Sequence, residues 1–221
     1  MVADSILTFL KELRIDAKLP KGIEVLSPYG NSKTFELCQQ FYHKYYDDDN
    51  RRTLLLGINP GRFGSGTTGV SFTDPIKLEK YCDIQNDLPK KAELSADFIY
   101  AMITAFGGLE AFYDRYFISS VCPLGFTFND KNINYYDLPK LEKAITPFVI
   151  QSLNQLMDMG MLNEKCYCIG GDKNLKSLTR LNDEHKWFKE IVPLPHPRFI
   201  MQYRRKKMKE YLDLWVDHLK L

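Results

Sequence analysis

Two polar side chains each follow an apolar run of the chain and are held beside conformationally restricted residues. Asn59 follows the apolar run 54–58 and precedes a proline, and His196 lies between two prolines. An amide can hold a water molecule in place, and an imidazole can stabilise the negative charge that develops on a leaving group. Together the two residue types indicate a hydrolytic site, although a single histidine in a proline-rich turn is more often a structural hydrogen-bonding residue.

The elements that must position these residues alternate between short apolar runs and amphipathic segments. Strands are predicted over 52–58, 116–122, 165–169 and 190–194. Helices are predicted over 5–13, 32–45, 76–81, 96–106, 109–113, 137–159, 174–181 and 201–219, with a kink or break at Pro147. This alternation favours an α/β fold with a parallel sheet covered on both faces. Because the carboxyl ends of parallel strands lie along one edge, Asn59 and His196 can face one cleft.

Composition and charge narrow the class of protein. The 221 residues are 44% hydrophobic and carry a net charge of +2, so any nucleic-acid surface must come from local clustering of basic residues. No apolar run approaches the roughly eighteen residues of a membrane span. The segment 1–14 carries acids and a lysine, which is not the pattern of a signal peptide. We expect one domain over 1–221 in a monomeric protein that does not contact a membrane. We expect the protein to be cytoplasmic, as in a bacterium.

Two further chemical patterns argue against a bound metal or cofactor. The five cysteines lie mostly in apolar surroundings, and Cys166 and Cys168 are separated by one residue instead of forming a CxxC pair. We interpret them as reduced core residues and predict no metal and no cofactor. The segment 64–69 satisfies GxGxxG, but it starts beyond the strand and leads to Phe72 without a clear helix, which argues against a dinucleotide site.

Three segments resemble motifs of one enzyme family. The run 57–64 (Gly-Ile-Asn-Pro-Gly-Arg-Phe-Gly), followed by 68–72 (Thr-Gly-Val-Ser-Phe), resembles the first motif of the single-strand-selective monofunctional uracil-DNA glycosylase family. The run 195–198 (Pro-His-Pro-Arg) resembles the second motif of the uracil-DNA glycosylase superfamily, and 117–124 is similar to the middle segment of the same family. The resemblance implies a three-layer α/β/α sandwich around a central four-stranded parallel sheet.

The resemblance also implies a function and residue roles. The family contains monofunctional DNA glycosylases, which would hydrolyse the N-glycosidic bond of uracil or 5-modified uracil in DNA during base excision repair, after flipping the base into a pocket. Asn59 matches the residue that positions the attacking water, and His196 matches the residue that stabilises charge on O2 of the departing uracil. Phe72 matches the aromatic that stacks on the base. No lysine stands at a nucleophile position of these motifs. The other implied base-binding residues are Gly57 and Ile58, through their backbone, and Gly61.

Two positions depart from the family pattern. Ser120 stands where the family has an asparagine that reads the uracil edge, and a hydroxyl cannot reproduce the paired donor and acceptor of an amide. After His196 the family's loop is longer and supplies an arginine wedge. Here either Arg198 or an apolar residue of 199–201 would fill the gap in the duplex. Gly61, in contrast, follows the family and would leave room at C5 of the base. The chain therefore resembles a variant branch.

A cluster of basic residues follows the second motif. It comprises Arg198, Arg204, Arg205, Lys206, Lys207 and Lys209, with no acidic residue among them. Such a run is usually a solvated helix face, yet positive charge near the start of the predicted last helix would oppose the helix dipole. Beside the proposed site, this favours contacts to DNA phosphates. The residues for which we predict DNA contacts are Arg198, Arg204, Arg205 and Lys206.

Two alternative functions stay open on the sequence. One is a DNA-binding protein with a degenerate glycosylase pocket, which the change at Ser120 suggests. The other is a hydrolase of free nucleosides or nucleotides. The sequence also leaves open the preferred base among uracil, 5-hydroxymethyluracil, hypoxanthine and xanthine, the choice between single-stranded and duplex DNA, and the protonation of His196.

Overall fold

The computed structural model describes residues 1–220 as a set of strands and helices that alternate along the chain. The strands are β1 (Ile23–Leu26), β2 (Thr53–Gly57), β3 (Tyr116–Ser120), β4 (Gly125–Phe128), β5 (Lys131–Ile133), β6 (Lys165–Ile169) and β7 (Glu190–Leu194). The helices are α1 (Val2–Glu12), α2 (Ser32–Tyr46), α3 (Ser65–Thr68), α4 (Pro75–Lys80), α5 (Leu94–Phe106), α6 (Leu109–Arg115), α7 (Pro139–Asp158), α8 (Asp172–His185), α9 (Pro197–Tyr203) and α10 (Met208–Lys220). Short 3₁₀ turns occur at Pro28–Gly30 and Arg205–Lys207.

The four predicted strands form one parallel sheet in the order β3-β2-β6-β7. Leu54, Leu55 and Leu56 of β2 are fully buried, because helices cover both faces of a parallel sheet. The predicted three-layer α/β/α sandwich with a central four-stranded sheet is confirmed. Strands β6 and β7 have the predicted bounds, whereas β2 and β3 end one and two residues earlier than predicted.

The strand order creates a crevice at the carboxyl edge of this sheet. Strand β3 lies on one side of β2 and β6 on the other, so the strand order reverses at β2. Ligands of open α/β sheets bind outside the carboxyl ends of the strands at such a point. The register pairs Gly57 with Ser120 at the ends of β2 and β3. The residues that follow β2, β3 and β7 therefore meet at one edge.

A second, antiparallel sheet with the order β1-β4-β5 was not predicted. Asn129 and Asp130 join β4 to β5, and both have positive φ angles (49° and 58°). This is typical of a two-residue type I′ hairpin turn, for which asparagine and aspartate are favoured. The Asn-Asp pair between Phe-Thr-Phe and Lys-Asn-Ile was therefore the sequence signal for this hairpin. A β-carbon on Gly125 would lie 2.3 Å from the carbonyl oxygen of Pro60, so β4 begins directly against the loop after β2.

The prediction of one continuous last helix over 201–219 is wrong, because two helices occupy this part of the chain. Helix α9 begins earlier, at Pro197, and ends at Tyr203, and α10 begins only at Met208. The residues 202–207 are all exposed, so no buried side chain holds a helical path there. Arg204 follows the carboxyl end of α9, where positive charge is favourable, and only 205–207 precede the amino end of α10. The predicted conflict with a helix dipole is therefore weaker than expected.

Helix α7 is continuous through Pro147, where the sequence predicted a kink or a break. Proline removes the hydrogen bond to the carbonyl four residues earlier, which here belongs to Lys143. Both residues are exposed, so that carbonyl lies on the solvent side of the helix. The loss of one backbone hydrogen bond is tolerated because the buried face of α7, which includes Ile145 and Val149, still packs on the core.

The cysteines are buried and free, and burial raises the pKa of Cys38, Cys122 and Cys168 to about 12. Thiols with such pKa values are inert core groups. Across residues 1–220, no three His, Cys, Asp or Glu side chains group in a way that could hold a metal ion. No helix in that range combines the length and apolarity needed to cross a membrane.

Candidate active site

A cavity of about 380 Å³ opens at the carboxyl edge of the main sheet. Its volume is that of a pocket for a small molecule or a single base. The predicted residues that line it are Ile58, Asn59, Gly61, Phe72, Ser120, His196 and Arg198. Gly57 does not line it and lies behind the wall, where a β-carbon would come within 3.2 Å of the Phe72 ring. The two predicted catalytic residues therefore share one cavity.

The side chain of Asn59 is held by main-chain groups alone. Its Oδ1 accepts a hydrogen bond from the N–H of Tyr135 (2.9 Å), and its Nδ2 donates to the carbonyls of Pro60 (3.2 Å) and Ile133 (3.3 Å). Because an N–H only donates and a carbonyl only accepts, these partners determine which way the amide points. Oδ1 keeps a second lone pair, which can hold a water molecule.

The groups that hold Asn59 come largely from the β4–β5 hairpin and the segment after it, which the sequence interpretation missed. Ile133 ends β5, and Tyr135 lies two residues beyond it. Asn132 of β5 also accepts a hydrogen bond from the N–H of Arg62 (3.3 Å). A β-carbon on Gly61 would come within 3.2 Å of Asn132 Nδ2. The hairpin therefore fixes the loop after β2, and the role predicted for Gly61 at C5 of a base stays a prediction.

His196 caps the amino end of α9. Its Nδ1 accepts a hydrogen bond from the N–H of Arg198 (3.1 Å), so the proton of the neutral ring resides on Nε2. Burial, and then the positive charge of Arg198, lower the pKa of His196 to about 4. At neutral pH, His196 is therefore an uncharged hydrogen-bond donor in the cavity, which decides the protonation that the sequence left open.

Phe72 lies on the cavity wall in a strained backbone conformation. Its φ angle is 50°, which a bulky residue rarely adopts, and its ring centroid is 6.0 Å from that of His196. The turn is held by the buried hydroxyl of Thr68, which donates to the carbonyl of Thr73 (2.6 Å), and by a hydrogen bond between Thr73 and the Tyr100 hydroxyl (3.1 Å). Phe72 is half-buried instead of sitting in the core, so one part of the ring is open to a ligand.

Ser120 ends β3 and is half-buried on the same wall. Within the described residues its hydroxyl makes no hydrogen bond, and the residue lines the cavity. The hydroxyl can make one hydrogen bond as donor and can accept others, but it cannot present a donor and an acceptor side by side. The cavity wall at Ser120 is therefore free to contact a ligand, though with less selectivity than an amide.

The cavity also contains polar residues that the sequence interpretation did not single out. They are Ser65, Ser71, Glu93, Ser95, Asn132, Asn134 and Gln202. Glu93 is the ionisable one. It lies between the motifs, in the charged stretch 90–93, whose composition is typical of a surface loop. Only the tertiary structure could therefore reveal that Glu93 lines the cavity. Burial, and then the charge of Asp74, raise the pKa of Glu93 to about 7.

Aromatic and basic residues of α9 surround the mouth of the cavity. Phe199 and Tyr203 are 43% and 61% exposed, and their ring centroids are 5.7 Å apart. The guanidinium carbon of Arg204 lies 5.4 Å from the Phe199 ring centroid. Arg198 is exposed and lines the cavity, whereas Arg204, Arg205 and Lys206 are exposed but do not line it. The arrangement provides stacking surfaces and positive charge next to the opening.

The chain is similar to one known protein family and to a solved structure. Residues 43–220 match the model of the uracil DNA glycosylase superfamily. The crystal structure of wild-type SMUG2 from Pedobacter heparinus is 45% identical in sequence and superposes with a TM-score of 0.97. The match covers 99% of this chain and 97% of the SMUG2 chain.

Proposed function

The chain belongs to the uracil DNA glycosylase superfamily, a family of DNA glycosylases, and from this premise we propose that it is a monofunctional DNA glycosylase. Its substrates would be uracil and 5-modified uracils in DNA, and its product an abasic site for base excision repair. The observation that carries the proposal is the immobilised amide of Asn59 in one cavity with a neutral His196.

The chemistry follows from these two groups. Oδ1 of Asn59 holds the attacking water at the anomeric carbon, and Nε2–H of His196 donates to O2 of uracil as negative charge develops there. An amide is a poor general base, so positioning of the water and stabilisation of the leaving group supply most of the rate. A neutral donor can fill this role, because its N–H stabilises the developing charge by a hydrogen bond without transferring the proton.

The flipped base would occupy the cavity with its face on Phe72. Ile58 and Gly61 would contact its ring, and the free hydroxyl of Ser120 would make one hydrogen bond to its edge. Gly57 would act from behind, by leaving space for the Phe72 ring.

The surface around the mouth would bind the DNA strand. Of the apolar residues 199–201 only Phe199 is exposed, so we assign it the role of the wedge, with Arg198 beside it. Arg204, Arg205 and Lys206 would contact phosphates. We further propose that the protein acts as a monomer in a reducing compartment such as the cytoplasm, to which its free, buried cysteines are suited.

The test is a glycosylase assay on an oligonucleotide with a single uracil, as single strand and as duplex. Wild type should yield strand breaks only after alkali, and Asn59→Ala and His196→Ala should each lower the rate by about 10²–10⁴-fold. Matched controls are Asn163→Ala and His43→Ala, which change an exposed residue of each type and should leave the rate unchanged.

Two outcomes would reject the proposal. DNA binding without turnover on uracil or on a panel of modified bases would indicate a degenerate pocket. Hydrolysis of free nucleosides without any cleavage of oligonucleotides would indicate a nucleoside hydrolase.

A further inference from the structure

The carboxyl group of Glu93 lies in the cavity without a structural partner. Its backbone is well fixed, because its N–H donates to Oδ2 of Asp74 (2.9 Å). Its side chain, in contrast, makes no hydrogen bond or ion pair within residues 1–220, and its Oε2 is fully buried. Neighbouring carboxylates differ: Asp74 and Asp97 both pair with Lys77. A buried carboxyl with no partner is costly, so a ligand in this cavity that supplied a hydrogen bond to Glu93 would be favourable.

The loop after β2 is built to admit this carboxyl. A β-carbon on Gly64 would lie 1.7 Å from Oε2 of Glu93, so no other residue could stand at position 64 without displacing the side chain. Gly64 also has a φ angle of 62°. Glu93 therefore lines the cavity with its carboxyl packed against Gly64, between the motif that carries Asn59 and the start of α5.

The surroundings of Glu93 favour its uncharged form. Burial and the carboxylate of Asp74 raise its pKa to about 7, while Arg198 and Lys77 oppose this only in part. His196, in the same cavity, is uncharged at this pH. Near neutral pH a large fraction of Glu93 is thus a carboxylic acid. Such a group presents an O–H donor and a carbonyl acceptor side by side, as a primary amide does.

Uracil presents the complementary pattern. Its O4 accepts a hydrogen bond and its N3–H donates one on adjacent atoms, and Ser120 cannot satisfy both. We propose that Glu93, as a neutral carboxylic acid, reads the O4 and N3–H edge of the flipped base and thereby supplies the selectivity that Ser120 lacks. The proposal rests on the proposed glycosylase function, and it extends to any pyrimidine that keeps the 4-oxo and N3–H groups, including 5-substituted uracils.

The proposal is tested with Glu93→Gln, Glu93→Ala and the control Glu110→Gln, an exposed glutamate on α6. For each protein, kcat/KM on a single-stranded uracil oligonucleotide is measured between pH 5.5 and 9. Wild type and the control should lose activity above about pH 7, by about tenfold, as the acid becomes a carboxylate that repels O4. Glu93→Gln carries a permanent amide and should stay active without this alkaline fall. Glu93→Ala should be weaker at every pH.

A second readout does not require turnover. Binding of free uracil, measured by calorimetry at pH 6 and pH 8.5, should weaken at the higher pH for wild type, should not change for Glu93→Gln, and should be weak at both values for Glu93→Ala. An alkaline fall that persists in Glu93→Gln, or wild-type uracil affinity in Glu93→Ala, would overturn the assignment. If wild type binds uracil in this way but cleaves no oligonucleotide, the glycosylase proposal fails while the role of Glu93 stands.

Discussion

At the scale of single residues, the cavity uses neutral groups that are oriented by the backbone. Asn59 is fixed by one N–H and two carbonyls, and His196 by the N–H of Arg198. Neither side chain depends on a partner that titrates. The geometry of the two predicted catalytic groups should therefore be constant over a wide pH range, and changes of activity with pH should reflect the groups themselves.

Replacing Asn59 by aspartate tests this orientation. In Asn59→Asp, one carboxylate oxygen keeps the bond from Tyr135, but the other faces the carbonyls of Pro60 and Ile133. The repulsion should raise the pKa of the new carboxyl, so the protein should be less stable at pH 8 than at pH 5, by about 1–3 kcal/mol. Denaturant unfolding of wild type, Asn59→Asp and Asn59→Ala at both pH values measures this. A pH effect of the same size in Asn59→Ala would contradict the explanation.

The tautomer and the low pKa of His196 make a second prediction. In NMR spectra the His196 ring should carry its proton on Nε2 from pH 8 down to about pH 5, and should become charged only near pH 4. Since the unfolded chain binds this proton near pH 6.5, stability should be unaffected above that value and should fall between about pH 6.5 and 4. The variant His196→Gln identifies the signal and should lack this part of the acid destabilisation. A His196 titration at pH 6.5 or higher would disprove the assignment of a neutral donor.

At the scale of elements, two pieces of structure complete the site that the motifs begin. The β4–β5 hairpin reaches across to hold Asn59 and the loop that follows it. Helix α9 begins directly after its capping residue His196 and then presents Phe199 and Tyr203 at the cavity mouth. One element therefore orients the amide proposed to hold the water, and the other connects the proposed leaving-group donor to the surface proposed to contact DNA.

The wedge role of Phe199 can be separated from binding in general. A wedge fills the gap that a flipped base leaves in a duplex, whereas a single strand has no such gap. Phe199→Ala should therefore lower kcat/KM on duplex uracil DNA by about 10–100-fold and on single-stranded DNA much less. The control is Phe63→Ala, which removes another aromatic ring of similar exposure (42%) that does not line the cavity. An equal loss on both substrates would assign Phe199 to the pocket instead.

At the scale of the whole molecule, a nearly neutral protein carries a local cluster of positive charge, which is the surface proposed to bind DNA. The net charge is only +2, yet Arg198 lines the cavity and the basic run 204–207 directly follows the cavity-lining residues Gln202 and Tyr203. The interruption between α9 and α10 places this run in an exposed turn instead of on a long helix. A turn lets several side chains point toward a phosphate backbone at once.

The salt dependence of DNA binding measures this cluster. The double variant Arg205→Gln/Lys206→Gln should weaken binding of duplex DNA and reduce the slope of log K against log salt by up to about 2. The matched control Lys186→Gln/Lys189→Gln removes two exposed charges near the amino edge of the sheet, at the opposite end of the strands, and should change neither quantity. Equal slopes for both double variants would remove the phosphate contacts from the proposal.

Local pattern was sufficient for much of the fold and for part of the site. A short apolar run such as 165–169 predicts a buried strand whatever the order of the strands in the sheet. The period and length of such runs were therefore enough to predict the bounds of β6 and β7. The placement of Asn59 and His196 after strands, between prolines and glycines, was likewise enough to predict that they share a cleft, because parallel strands end at a common edge.

Only the tertiary structure decided what surrounds those two residues. The clamp on Asn59 comes from Ile133 and Tyr135, far along the chain, and no local signal connects them to it. Glu93 reads as a surface residue in sequence, and its buried, partly protonated state arises because Gly64 leaves space for its carboxyl and Asp74 fixes its backbone. The charge of His196 depends on burial and on Arg198. Sequence thus determined which residues reach the edge of the sheet, whereas protonation and orientation depend on desolvation and on long-range contacts, which exist only once the chain has folded.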